Sequence, residues 1–126
     1  MKAWIVLAEA ATAHPDGTLS MLRAGIGRLF GPEPPFTFRG ALAVRIESDA
    51  ADLGVHKFSI RSTRTDGGGP LPTMDGEFTV ETDHGVVSFA AVVQVAKLGP
   101  GELRFELLVD ELPLSQWVLK VDQSPR

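Results

Sequence analysis

The chain has no cysteine and no tyrosine, only three histidines and two tryptophans, and no long apolar run. Without cysteine there is no disulfide, no thiolate metal site and no thiol nucleophile, and a reducing cytoplasm is the expected location. No apolar stretch approaches the roughly eighteen residues of a membrane span. The opening run "AWIVLAEAA" carries Trp4 and Glu9 and enters a turn, so it reads as a strand and not as a signal sequence. A net charge of −4 argues against a general nucleic-acid binder, whose affinity comes from Lys and Arg on phosphates. Neither a nucleic-acid nor a membrane partner is expected.

Helical periodicity is also scarce. Gly or Pro arrives every eight to twelve residues, with alternating apolar positions between, which is the rhythm of an all-β fold. Eight strands are expected, near 2–11, 18–30, 38–48, 55–63, 76–81, 86–98, 103–109 and 112–121. Three features stand out. The strand at 18–30 is broken or bulged at its glycines and stopped by "GPEPP". That at 38–48 alternates as if one face were wet. That at 86–98 is apolar and small on both faces, so something packs on each. "SDAADLG" has room for one helical turn, and Asp110–Glu111 reads as a tight hairpin. With no repeat and no linker, the fold class is a single-domain antiparallel β-sandwich, immunoglobulin-like or C2-like, over residues 1–122. Residues 123–126 form a frayed tail.

Candidate chemistry is thin. In "LRAGIGRLFGPEPP", Gly25, Gly27 and Gly31 nearly spell a phosphate loop, but no helix follows to supply amide donors and a dipole. A bulge or bend is expected there, with unusual backbone angles at Gly25 or Gly27. His14, His56 and His84 lack zinc-ligand spacing, and His56 reads as a hydrogen-bonded residue at the core edge. The loop aspartates form no Asp-x-Asp pair for calcium. No serine lies in a nucleophile elbow. Trp117 is in phase with Leu119 and Val121, as a core or contact residue. No catalytic, cofactor-binding or metal-binding residue is assigned, no cofactor is expected, and the chain is expected not to be an enzyme.

Charge is unevenly spread. Arg23 to Arg64 holds seven basic and four acidic residues, whereas Thr65 onward holds four basic and ten acidic. Such a split suits head-to-tail self-association or a charged partner, but the first expectation is that strands from the two halves interleave and the asymmetry vanishes in three dimensions.

Three segments resemble a family of small bacterial proteins catalogued only as a domain of unknown function. They are "WIVLAEAATAHPDGTLSMLRAGIGRLF", "PPFTFRGALAVRIESDAADLGVHKFSIRSTRTDGG" and "GPGELRFELLVDELPLSQWVLKV". The resemblance implies a compact β-sandwich and no catalytic residues. Its members tend to have Asp-Gly in the final hairpin where this chain has "DEL", which points to another turn type. The expected function is protein–protein binding, by self-association or as an accessory subunit, with Arg23, Arg28, Arg61 and Arg64 as partner-binding residues. The alternative is a small-ligand or carbohydrate-binding module with the same four arginines on one surface.

Overall fold

The structure, a computed structural model, describes residues 1–31, 36–82 and 85–123. It is all-β. The strands are β1 (Lys2–Ala8), β2 (Ala10–Ala13), β3 (Leu19–Leu22), β4 (Arg28–Gly31), β5 (Phe36–Glu47), β6 (Gly54–Arg64), β7 (Met74–Val80), β8 (Val86–Leu98), β9 (Gly101–Val109) and β10 (Leu112–Gln123). A single 3-10 turn, Ala50–Asp52, fills "SDAADLG", and the Asp49 side chain caps it. Among the described residues, no helix is long and apolar enough to cross a membrane.

Three sheets form, ordered β1-β5-β8, β4-β10-β9-β6-β7 and β2-β3. The buried faces of the first two share one hydrophobic cluster. Ile5, Leu7, Leu42, Val44, Ile46 and Val95 come from one sheet, and Ile60, Leu103, Phe105, Leu107 and Leu119 from the other. These are the apolar phases of alternating strands, which is why period two places them together. On β6, His56, Phe58 and Ile60 share the inward phase, while Lys57, Ser59 and Arg61 share the outward one.

Ten strands replace the expected eight, because two runs divide. The first changes sheet at Glu9, where β1 ends and β2 turns into a hairpin with β3. The second is interrupted between Leu22 and Arg28, where Arg23 and Gly25 adopt φ of 49° and 91°. A second correction concerns direction. The five-stranded sheet is mixed, since β4 runs parallel to β10 while the other pairings are antiparallel. The interruption allows this by carrying the chain across a strand end and not around a tight hairpin. The expected stop at "GPEPP" and the turn around His84 lie outside the described residues, as does the tail beyond Gln123.

The face of β5 carrying Ala43, Arg45 and Glu47, expected to be wet, is so only in part. Glu47 is exposed and Arg45 half-buried, whereas Ala41 and Ala43 are buried, together with Ala8 of β1. β2 of the β2-β3 hairpin lies over part of β5 and β8, while Val86 and Val92 on the same face of β8 stay exposed. The hairpin's "HPDG" turn is pinned from below: Ser88 Oγ donates to the Gly17 carbonyl at 2.6 Å, and Gly17 packs on Val86. Small residues on the second face of β8 therefore serve close approach by the chain's own hairpin.

At the other end, Asp110 and Glu111 form a two-residue loop with Leu112 paired to Val109. Both have positive φ, 51° and 69°. That is the backbone of a type I′ turn, so the missing glycine has not changed the turn type. Left-handed backbone at a residue with a Cβ costs about 1–2 kcal/mol. Glu111→Gly should therefore raise unfolding free energy by about 1 kcal/mol, allowing for the greater entropy of glycine in the unfolded chain. Urea titration of the two proteins checks this; an unchanged or lower midpoint would refute it.

Candidate functional site

The segment Arg23–Gly27 is irregular, and most of its residues are exposed. After β3 the chain crosses the end of β1, and Gly25 N and Ile26 N both donate to the Leu7 carbonyl, at 2.9 and 3.0 Å. A φ of 91° at Gly25 turns both donors toward one acceptor, a geometry that side chains with a Cβ rarely adopt. Ile26 packs against the core cluster. Its carbonyl accepts from Trp117 Nε1 at 2.7 Å, and the Gly27 carbonyl accepts from Lys120 N at 3.0 Å. The excursion is thus pinned to β1 on one side and β10 on the other. Gly25 carries the unusual angle expected in this segment. Trp117 proves to be a half-buried core-edge residue with a satisfied ring nitrogen.

From this anchor, β4 runs along β10 with Arg28 opposite Lys120 and Leu29 opposite Val121. Leu29 turns toward the core cluster, so Arg28 and Phe30 project from the outer face. Phe30 is 56% exposed, a large apolar side chain left in water. The Arg28 guanidinium lies 5.8 Å from its ring centroid, and its Nε is 2.9 Å from Asp122 Oδ2. Arg23, nearly free of contacts, comes within 3.8 Å of Glu9. Arg23 and Arg28 flank one shallow concavity floored by residues 24–27, and no atom lies where a Cβ on Gly25 or Gly27 would sit.

The four sequence-assigned arginines do not meet. Arg61 shares the outer face with Arg28 but sits opposite Glu106 on β6. Three strands and four residues separate it from Arg28, roughly 20 Å. Arg64 has the inward phase and is consumed by a buried pair. Its Nε and Nη2 donate to the two oxygens of Asp66, each at 2.6 Å, with the side chains 7% and 1% exposed. Only Arg23 and Arg28 come together.

His56 is the second constellation of interest. Nδ1 lies 2.6 Å from Asp110 Oδ2, and Nε2 lies 2.5 Å from the Asp52 carbonyl oxygen. A carboxylate and a carbonyl oxygen both accept, so the site favours the ring form that donates from both nitrogens, the imidazolium. The ring stacks on Phe78 at 5.4 Å between centroids. The hydrogen bond to Asp110, then that to the Asp52 carbonyl, raises the His56 pKa above its ordinary 6.5 against the opposing effect of burial. The same bond lowers that of Asp110. Because the folded value is raised, the stabilisation is complete below pH 6.5 and is lost as pH climbs through the folded value. The urea midpoint of the protein should fall between pH 6 and 9, and that of His56→Gln should fall less. Parallel curves would remove His56 as the cause. Sequence reading placed His56 at the core edge correctly. It had no signal for Asp110, which is 54 residues away.

Near Asp110, an open concavity of about 600 Å³ is lined by Lys57, Ser59, Asp75, Glu77 and Glu111. Ser59 Oγ donates to Asp75 Oδ1 at 2.6 Å. Asp75 and Glu77 lie on β7, at the opposite edge of the five-stranded sheet from β4, and Asp110 and Glu111 lie in the turn between β9 and β10, at the far end of β10 from Arg28.

These elements define an all-β protein in which a pinned excursion delivers a short, cationic and aromatic strand to the edge of a mixed sheet. The chain belongs to a family of unknown function, DUF6941, which matches residues 3–122. No curated protein and no solved structure matches it.

Proposed function

We propose that the protein is a β-sandwich, immunoglobulin-like or C2-like, that works by binding another protein and not by catalysis. The two large sheets sharing one core support the sandwich reading. One observation carries the binding reading: β4 is an edge strand with no second neighbour among the described residues, and it presents Arg28 and a 56% exposed Phe30. Edge strands offer unpaired backbone donors and acceptors to another chain, and aromatic and Arg side chains are favoured at protein interfaces. The anchors at Leu7, Trp117 and Lys120 hold this strand in place before any partner arrives, which lowers the ordering cost of association.

A photocrosslinking amino acid at position 30, in cells, tests the reading. A discrete crosslinked protein is expected there and not from the same residue at Gln94, an exposed position on the other sheet. Labelling at 30 no greater than at 94 would refute it.

A further inference from the structure

We infer that the two edges of the five-stranded sheet are complementary, and that the partner of β4 is β7 of a second copy of this chain. The inference rests on the protein-binding reading above and names the occupant.

Strand direction comes first. β4 is parallel to β10, β10 antiparallel to β9, β9 antiparallel to β6, and β6 antiparallel to β7. It follows that β4 and β7, the two edges, point in opposite directions. A neighbouring copy displaced along the sheet, without being turned over, would set its β7 antiparallel beside β4. That is the more stable pairing, and the outer face of one copy would continue into the outer face of the next.

Charge runs the same way. At the β4 edge, Arg28 projects from the outer face beside Lys120, with Arg23 close by, against Asp122 and Glu9. At the β7 edge, Asp75 and Glu77 are exposed on the outer face and Glu81 follows the strand. Asp110 and Glu111 are near, and Lys57 opposes Glu77. Across the molecule the basic first half and acidic second half of the chain do interleave, with Arg61 opposite Glu106, Lys57 opposite Glu77 and Arg64 paired with Asp66. What remains is local: Arg23, Arg28 and Lys120 at the β4 edge, and Asp75, Glu77 and Glu81 at the β7 edge. Joined, Arg28 would fall among Asp75 and Glu77, and Phe30 would be covered by the neighbour.

The contact is heterologous, so every assembly keeps one free β4 edge at one end and one free β7 edge at the other, and it grows without closing. With four residues in β4, the junction is short, weak and salt-sensitive.

Sedimentation equilibrium at low ionic strength, over tens to hundreds of micromolar protein, tests this. Wild-type mass should rise continuously with concentration and fall back when salt is added. Arg28→Glu, and separately Glu77→Lys, should weaken association by about tenfold or more, because each sets like charges opposite one another. The two reversals together in one chain should restore it. Both positions are exposed, and circular dichroism melts confirm that each variant folds. A strictly monomeric wild type, or a double variant no better than the singles, overturns the inference. Crosslinks from position 30 to a different protein, with a monomeric wild type, would end this inference and leave the protein-binding reading standing.

Discussion

Asp66→Ala should lower the unfolding free energy by about 3–5 kcal/mol, the loss expected when one partner of a buried ion pair is removed. A domain of this size has only about 5–15 kcal/mol in all, so much of its stability is at stake. Asp66 takes both Arg64 bonds and accepts from Gly99 N at 3.0 Å and Gly68 N at 3.2 Å. Arg64 Nη2 also donates to the Lys97 carbonyl at 3.2 Å. The pair thereby ties the loop after β6 to the turn between β8 and β9. No room exists for a side chain at Gly68, whose Cα lies against the guanidinium, and Gly101 holds a φ of 146° against the backbone of Asp66. Alanine at 66 would strand a buried guanidinium and two amide donors. Arg64→Met combined with Asp66→Leu should recover part of the loss, because no charge is then left unpaired, though the two amides still lack their acceptor.

The same carboxyl sets an acid limit. The Arg64 guanidinium, followed by the Gly99 and Gly68 amides, holds the Asp66 pKa far below its ordinary 3.8, against burial that raises it. A depressed folded value means that stability is complete above 3.8 and is lost as pH falls from there toward the folded value. Wild type should therefore lose stability below pH 3.8 more steeply than Asp66→Asn. Urea midpoints measured from pH 5 to pH 2 check both statements. A loss under 1 kcal/mol for Asp66→Ala, or equal acid slopes, would show that the pair does not organise these loops.

Much of this was legible in the sequence, and the exceptions have a common cause. Alternation alone put Ile60, Leu103, Phe105 and Leu119 in the core, because side-chain direction in a strand is a local property. The type of turn at Asp110–Glu111 was not legible, since the fold imposes left-handed backbone on residues that do not favour it. Gly25 was legible as a break, but the route that follows was not. That route depends on the Leu7 carbonyl, Trp117 and Lys120, which are distant in sequence. The face of Ala43, Arg45 and Glu47 was legible as wet at Glu47 but not as covered at Ala43, because alternation reports which residues share a side and says nothing of what covers it. The arginine grouping failed because Arg64 was assigned to a surface although its phase on β6 matches Ile60, and because Asp66, two residues on, is the partner that consumes it.

Phe105→Ala and Phe30→Ala should separate core from edge most sharply. Phe105 is fully buried on β9, the central strand of its sheet, opposite Trp117 on β10 and Ser62 on β6. Truncation removes a ring packed on both sides and opens a cavity that paired strands cannot close, so a loss of about 3–5 kcal/mol is expected. Phe30 has the same side chain on the short outermost strand, with more than half of its surface in water. Its truncation should change stability by no more than about 0.5 kcal/mol, as surface substitutions do. It should also abolish the rise of mass with concentration, because the ring would lie at the junction between copies. Urea denaturation supplies the first comparison and sedimentation the second. If Phe30→Ala cost as much as Phe105→Ala, the ring would belong to the fold, and β4 would have no side chain held in reserve for a neighbour.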